Sequence, residues 1–276
     1  MLVRSKALTL NSKGYTVNNK LKNHIFLGIT MRNMTRVLII TAICFLGIGC
    51  TTQEGYQASS SLISDNLEAW ECYLEDPEAK VQDVWYIEDG VLICSGKPLG
   101  YLYTKRDYRD FVLKLEWRWP PGKKPGNGGV LIRMTGEHRI WPMSLEAQLN
   151  VGNAGDFWGL AGYRLSGPAE RMRTSDHQEF GKLTNLKKTK ALEKPPGQWN
   201  IYEISAEGDT ATLIINGEEV NKATGCDLNP GRICLTSEGS EIHFRNVVVT
   251  PVNTEFAPQP TIYRHSVFIS NTTSAY

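Results

Sequence analysis

The first 50 residues contain no aspartate or glutamate, yet seven of the chain's 30 basic residues lie there. Removing those seven leaves 23 basic residues against 29 acidic ones, so the rest of the chain carries a charge of about −6. Nucleic-acid affinity depends largely on clustered Lys and Arg. This charge balance therefore argues against a phosphate-binding surface, and we expect no nucleic-acid partner.

Several catalytic signatures are also missing. In the sequence no Ser/His/Asp order, Gly-rich phosphate loop or Cys/His metal cluster stands out. None of these motifs therefore points to a serine hydrolase, a phosphate-loop enzyme or a metal-cluster protein. We expect no cofactor, although a divalent cation could act as an electrophile.

The sequence also lacks an apolar run long enough to span a bilayer. Its most prominent apolar run has 13 residues, from Val37 to Gly49. A bilayer span needs about 20 residues, whereas this length suits the core of a secretory signal. The run ends at Cys50 and resembles a bacterial lipoprotein signal, in which Cys50 becomes the lipid-bearing first residue. An extracytoplasmic, membrane-anchored protein of the periplasm or cell surface follows from that interpretation, and an ordinary signal peptide is the alternative.

The remaining boundaries follow from composition. Residues 1–50 comprise an overlong start, with initiation at Met31 or Met34, and the signal peptide. A flexible tether covers 51–61, one domain covers 62–251, and a polar C-terminal tail covers 252–276. The domain's four cysteines match no zinc spacing, and buried free thiols are favoured, with a Cys226–Cys234 bridge left open.

The domain reads as many short strands. Asp89-Gly90 and Asn216-Gly217 each separate two apolar runs, which is a strong hairpin signal because such turns need positive φ. Alternating runs at this spacing, with few helix-length segments, predict an all-β jelly-roll sandwich of two antiparallel sheets. The stretch from Ser166 to Gln198 is predicted to be a surface excursion with a short helix.

One predicted strand, "MSLEAQLNV", has an unusual polar face. Leu145, Ala147, Leu149 and Val151 share one side, opposite Ser144, Glu146, Gln148 and Asn150. The simplest interpretation is the solvated side of an antiparallel strand. However, planar hydrogen-bonding groups beside aromatic residues are also how proteins bind sugars. Other strands and loops carry matching groups, namely Glu116, Arg118, Arg133, His243, Arg245, Trp141, Trp158 and Tyr163.

Two of these groups suggest chemistry. Glu116 and Glu146 could form the carboxylate pair of a glycoside-cleaving enzyme. Equally, Glu116 and Arg118 could form only a surface ion pair, and Arg133 could close a structural salt bridge.

Seven segments in order resemble a known family. They are "WYIEDGVLICSG", "GYLYTKRDYRDFVLKLEWRW", "GNGGVLIRM", "LEAQLN", "PGQWNIYEI", "INGEEV" and "GRICLTSEGSEIHFRNVVV". Together they resemble the 3-keto-disaccharide hydrolase domain, over about Val84 to Val249. The resemblance implies a concanavalin-like jelly roll, secreted or lipid-anchored, that cleaves glycosides oxidised at C3.

The family motifs fall on Glu116-Trp117-Arg118, Asn127, Arg133, Glu146 and Gln148. Gly128 replaces the usual Ser, and Leu235-Thr236 replaces a Leu-Gln pair. An Asp that follows the Glu-x-Gln motif is displaced, with Asn150, Asn153 or Asp156 nearby.

A C3 ketone acidifies the C2–H, so a base can remove that proton while the C1 glycosidic oxygen leaves. Under the resemblance, Glu146 is the general base, Arg133 and His138 stabilise the enolate, and Glu116 or Gln148 orients hydroxyls. Further substrate contacts are assigned to Asn127, Arg118, Asn150, Trp158 and Tyr163. The rival hypotheses are a non-catalytic carbohydrate-binding module of the same fold and a structural lipoprotein.

Overall fold

A computed structural model describes residues 58–64 and 66–252. Cys50, the signal peptide, most of the tether and the tail from 253 onward lie outside the described residues, so their predicted roles stay predictions. The described part contains one four-residue α-helix, α1 (Val81–Val84), and a 3-10 turn (Ala169–Arg171). None of its helices is long and apolar enough to cross a membrane.

Sixteen strands make up the rest of the regular structure in these residues. The first eight are β1 (Ser60–Ser61), β2 (Trp70–Leu74), β3 (Trp85–Glu88), β4 (Val91–Cys94), β5 (Gly100–Thr104), β6 (Phe111–Arg118), β7 (Gly129–Thr135) and β8 (Met143–Gln148). The second eight are β9 (Phe157–Leu160), β10 (Met172–His177), β11 (Gly181–Leu186), β12 (Asn200–Glu207), β13 (Thr210–Ile215), β14 (Glu218–Ala223), β15 (Arg232–Ser237) and β16 (Ile242–Pro251).

The strands form two antiparallel sheets, as the sequence predicted. The front sheet has the order β10-β11-β9-β8-β7-β15-β5-β2. The back sheet has the order β14-β13-β12-β6-β16-β4-β3, with β1 paired to β16. Ser60 and Ser61, predicted to end a flexible tether, are therefore part of the sheet. The jelly-roll sandwich is the observed architecture.

Period-two alternation explains how the sheets pack. In β6, Phe111, Leu113, Leu115 and Trp117 are buried in the core between the sheets, and the intervening residues face outward. In β8, Leu145 and Ala147 enter the same core. The alternation predicted for this strand continues through buried Leu149 and fails at Val151, which is exposed because it lies in the turn after β8.

Both predicted hairpin turns are present. Asp89 and Gly90 have φ of 49° and 74°, and Asn216 and Gly217 have φ of 52° and 89°. Positive φ at both central residues matches the right-handed twist of the flanking strands. These turns fix the register of β3 with β4 and of β13 with β14.

The predicted excursion from Ser166 to Gln198 is wrong in one important part. Residues 172–177 and 181–186 form the hairpin of β10 and β11, which extends the front sheet at one edge. Every residue of β10 after Met172 is exposed. A strand that buries so little has no apolar alternation, and the sequence pattern therefore missed it.

Asn221 ties the two sheets together at this end of the sandwich. It lies on β14 of the back sheet, 1% exposed, and its Nδ2 donates to the carbonyls of Gly155 (3.0 Å) and Leu186 (2.8 Å). Its Oδ1 accepts from Arg171 at 3.0 Å. Gly155 precedes β9 and Leu186 ends β11, so one amide bridges both layers.

We expect Asn221→Ala to lower the free energy of unfolding by about 2 kcal/mol, because two buried carbonyls lose their donor. Urea unfolding followed by tryptophan fluorescence measures the loss. The matched control is Asn229→Ala, since Asn229 is exposed. Equal midpoints for the two variants would contradict the assigned role of Asn221.

Candidate active site

The polar face of β8 points away from the core, on the outer side of the front sheet, and is nevertheless buried. Glu146 is 3% exposed and Gln148 is 9% exposed. A solvated strand face, the simplest interpretation of this sequence, would leave a carboxylate far more accessible. Something therefore covers this part of the sheet.

Trp141 covers this part of the sheet, and Phe180 extends this cover over the neighbouring apolar cluster. Trp141 comes from the loop between β7 and β8, and Phe180 comes from the turn between β10 and β11, with ring centroids 4.4 Å apart. Both pack on an apolar cluster on the outer face of the front sheet, formed by Tyr101, Leu131, Met134, Leu160, Leu183 and Cys234. The hairpin that sequence analysis missed thus supplies Phe180 and Leu183.

A pocket of about 160 Å³ lies beneath this cover. It is lined by Asn127, Trp141, Glu146, Gln148, Asn150, Trp158, Leu160 and Leu183. Apolar and aromatic walls with a few convergent polar groups are typical of a small-molecule site. Five sequence-predicted residues, Asn127, Glu146, Gln148, Asn150 and Trp158, are brought together here.

Glu146 carries an unsatisfied oxygen. Its Oε1 is buried and has no hydrogen-bond partner. The side chain occupies space above Gly129 on the neighbouring β7, where a β-carbon would collide with Oε1. Glycine at this position therefore makes room for the carboxyl group.

A second carboxyl group, which the sequence analysis did not select, lies beside it. Glu238 follows β15, and its Oε2 accepts from Asn127 Nδ2. The polar side chains of Thr236 and Trp141 also favour the charged form of Glu238. Its Oε1 is buried and has no partner, like that of Glu146.

An amide chain holds Asn127 in position. Asn150 Nδ2 donates to Asn127 Oδ1 at 2.8 Å, and Asn153 Nδ2 donates to Asn150 Oδ1 at 3.3 Å. This arrangement turns the Asn127 amino group towards Glu238. Asn150 and Asn153 stand near the position where the family has an Asp. Through Asn127 they help to orient the donor that Glu238 accepts from.

The two carboxyl groups differ in which form their surroundings favour. Burial raises the pKa of Glu146 well above its usual range, and the charge of Glu238 raises it further. Burial also raises the pKa of Glu238, but the side chains of Thr236, Trp141 and Asn127 oppose that shift. We therefore assign the proton to Glu146 and the charge to Glu238.

Gln148 presents a donor to the same pocket. Its Oε1 accepts from the backbone N–H groups of Leu149 (3.1 Å) and Asn150 (3.0 Å). The Gln148 amino group therefore points away from these two backbone N–H groups and can donate into the pocket. The pocket therefore combines the Glu146 carboxyl group and an amide donor beside the Trp158 ring. Glu238 lies behind its Asn127 wall, to which it is hydrogen-bonded.

Glu116 and Arg118 do not belong to this pocket. Both lie on β6 of the back sheet and face its outer side, away from the front sheet. Glu116 accepts from Arg245 and Asn246, while the Arg118 and Arg245 guanidiniums lie 4.5 and 4.1 Å from the Trp199 ring. The predicted pairing of Glu116 with Glu146 is therefore wrong, and Glu238 is the neighbouring carboxyl group.

Arg133 and Tyr163 also lie elsewhere. Arg133 sits at a bulge in β7 with φ of 50° and is 1% exposed, its donors directed to the carbonyls of Arg109 and Asp227 and to Asp110. Tyr163 is in the core and donates to Asp227 O at 3.1 Å. These contacts correct both predictions, because neither side chain lines the Glu146 pocket.

His138 lines a different cavity on the same face. It is exposed, and its Nδ1 lies 2.9 Å from the Tyr101 hydroxyl. Burial lowers the pKa of His138, with Arg232 adding to the effect. The predicted contact of His138 with an enolate beside Glu146 is not supported by this placement.

Two further chemical predictions concern metal and sulfur. Within residues 58–64 and 66–252, no three His, Cys, Asp or Glu side chains converge as a metal-binding group. The domain cysteines, Cys72, Cys94, Cys226 and Cys234, are free thiols, as predicted. The expectation about cofactors stays a prediction.

Glu238 could have been found from the sequence by one signal. The last of the seven segments that resemble the family, "GRICLTSEGSEIHFRNVVV", contains Glu238-Gly239. Its significance depends on β15 lying two strands from β8, which only the sheet order reveals.

Comparison with solved structures finds folds of the same kind at low sequence identity. A candidate glycosyl hydrolase of Parabacteroides distasonis is 19% identical, with a TM-score of 0.49, covering 71% of this chain and 94% of its own. A Bacillus licheniformis beta-glucanase is 11% identical, with a TM-score of 0.47 and coverages of 73% and 100%. A structure from work on endo-acting O-glycanases of the human gut microbiota is 10% identical, with a TM-score of 0.50 and coverages of 72% and 100%.

No curated protein matches the chain. A family model described as the 3-keto-alpha-glucoside-1,2-lyase-like domain matches residues 59–250, which is the whole of the sandwich from β1 nearly to the end of β16. The protein belongs to the 3-keto-alpha-glucoside-1,2-lyase-like family.

Proposed function

We propose that this protein cleaves 3-keto-glycosides by removing the C2 proton and expelling the C1 oxygen. Family membership supports a carbohydrate-active function. The observation that carries the finer proposal is the pair of buried carboxyl groups, Glu146 and Glu238, each with one unpartnered oxygen. A pair whose surroundings favour opposite protonation states is suited to acid–base chemistry.

The proposed step uses one group in each state. The Glu238 carboxylate takes the C2 proton, which the adjacent C3 ketone has acidified. The C2–H electron pair forms the C1=C2 bond, the C1–O bond breaks, and the leaving oxygen receives the Glu146 proton. The products are an enone and an alcohol, and proton transfer from Glu238 to Glu146 restores the starting state.

The roles differ from those expected from the sequence. Glu146 was the expected base, but its raised pKa favours the acid form. Glu238, with hydrogen-bond donors around it, is better suited to the base. The Gln148 amino group replaces Arg133 as the donor that stabilises negative charge on the C3 oxygen.

The direct test is incubation with methyl 3-keto-α-glucoside deuterated at C2, beside the unoxidised parent glycoside. We expect methanol release from the keto compound alone, slowed by a primary isotope effect. Binding of sugars without turnover would favour the rival hypothesis, a carbohydrate-binding module. If turnover showed neither an isotope effect nor loss of the deuterium label, proton abstraction at C2 would be contradicted.

Glu146→Gln and Glu238→Gln should each lower kcat by about 10²- to 10⁴-fold, because each removes one proton-transfer partner. Glu137→Gln is the matched control, since Glu137 is exposed on the loop before β8. Steady-state kinetics on the same keto substrate gives the comparison. If both Gln variants of the pair kept the control's kcat, the pair would not be the acid and base.

The pH dependence of stability provides a test without substrate. A folded-state pKa raised above the ordinary 4.5 means that the native protein holds a proton the unfolded chain has lost. Stability from Glu146 should therefore fall as pH rises from about 4.5 towards the raised pKa. Glu146→Gln removes this dependence, so its Tm relative to wild type should increase with pH. A constant Tm difference would mean that Glu146 is ionised at neutral pH.

Gly129→Ala should reduce kcat by about 10²-fold, because the new β-carbon displaces the Glu146 carboxyl group from its position. Gly128→Ala is the matched control, as a β-carbon there meets only Ile242, Trp119 and Thr236 at 3.5 Å or more. Kinetics and circular dichroism on both variants separate activity from folding. Equal kcat values would show that the Glu146 position tolerates displacement.

A further inference from the structure

A second cavity opens on the outer face of the front sheet, beyond the pocket of Glu146. It has a volume of about 320 Å³ and is lined by Glu71, Tyr103, Asp107, Met134, Thr135, Gly136, His138, Pro230 and Arg232. We propose that this cavity, the distal cavity, binds a further sugar unit of the glycoside whose reacting unit occupies the Glu146 pocket. The inference rests on the proposed function for the identity of that reacting unit.

Strand register places the two cavities on one row across the sheet. Glu71 pairs with Tyr103, Tyr103 with Cys234, Cys234 with Leu131, and Leu131 with Glu146. Tyr103 and Glu146 are three strands apart, or about 14 Å at the usual spacing of sheet strands. That separation suits a chain of sugar units running across the strands.

The Glu146 pocket is too small to hold a whole disaccharide. Its volume of about 160 Å³ is below the ~300 Å³ at which ordinary ligand pockets begin. One ring can enter it, and any further ring of the glycoside must contact protein outside. The distal cavity is the larger of the two and provides such a surface.

Its walls have the composition that pyranose rings require. Tyr103 and His138 line the cavity with their ring centroids 4.5 Å apart, and Tyr73 packs on the His138 ring at 5.6 Å. The Tyr101 hydroxyl, 2.9 Å from His138 Nδ1, fixes the orientation of that ring. Flat, positioned rings offer apolar faces to the C–H side of a sugar.

Planar charged groups surround these aromatic rings. Arg232 pairs with Asp107 at 2.7 Å and donates to the Thr104 carbonyl at 2.8 Å. Glu71 is exposed at the rim and hydrogen-bonds the Tyr103 hydroxyl. Guanidinium and carboxylate groups together bind neutral hydroxyls, whereas two carboxylates beside one arginine disfavour a phosphate.

One loop and one apolar floor connect the cavities. Gly136 and His138 line the distal cavity, and Trp141 of the same β7–β8 loop covers the Glu146 pocket. Met134, under the distal cavity, and Leu160, in the Glu146 pocket, belong to the same outer-face cluster. The two cavities therefore lie on the same face of the front sheet and share one loop and one apolar cluster.

The test compares substrates of increasing length. The probes are methyl 3-keto-α-glucoside and the malto-oligosaccharides of two to five units oxidised at C3 of the reacting unit. We expect kcat/KM to rise with length in the wild type. Tyr103→Ala should lower it about tenfold for the longest probe, through KM, and leave the methyl glycoside unchanged. The control is Tyr86→Ala, because Tyr86 is exposed on the back sheet.

Calorimetry with maltopentaose, cellopentaose and laminaripentaose separates this inference from the proposed function. Binding of a pentasaccharide that Tyr103→Ala weakens and Tyr86→Ala preserves would support the distal cavity even if no keto sugar were cleaved. Cleavage that is independent of length, together with no Tyr103-dependent binding, would overturn it. Equal losses of kcat/KM in Tyr103→Ala and Tyr86→Ala would overturn it as well, because the loss would then not depend on the distal cavity.

Discussion

The buried carboxyl group of Glu146 is the feature on which the rest of the site depends. An ionised carboxylate without hydrogen-bond donors is costly to bury, so the sheet either holds a proton there or loses stability. The neighbouring Glu238 has the donors that Glu146 lacks. The asymmetry between these two groups, and not their number, is what the proposed mechanism uses to separate the acid from the base.

The sandwich tolerates these buried carboxyl groups because they lie outside the main core between the sheets. Leu145 and Ala147 anchor β8 between the sheets, while Glu146 rests on a separate outer cluster under Trp141. Polar groups that would weaken the inner core are thus confined to one face. The back sheet, with its Arg118, Arg245 and Trp199 stack, carries no comparable buried carboxyl pair among the described residues.

Local pattern was sufficient to predict the two sheets, both hairpin turns and the opposed faces of β8, since each follows from alternation or from a positive-φ turn. The site was predicted only in part. Asn127, Gln148 and Trp158 converge with Glu146, but Glu116 and Arg133 do not. Strand order decides which outward faces meet, and a bulge at Arg133 reverses its direction. Neither feature leaves a signal in a single sequence.

The covering residues Trp141 and Phe180 come from a loop and from a hairpin tip, neither of which contributes to the inner core. Exchanges at the hairpin tip that carries Phe180 would therefore reshape this edge of the pocket without disturbing Glu146 or Glu238, whereas Trp141 also belongs to the surroundings of Glu238. Related chains could in this way differ beside the pocket while retaining both carboxyl groups. Sequence variation among relatives should then concentrate near Phe180 and spare the strand that carries Glu146.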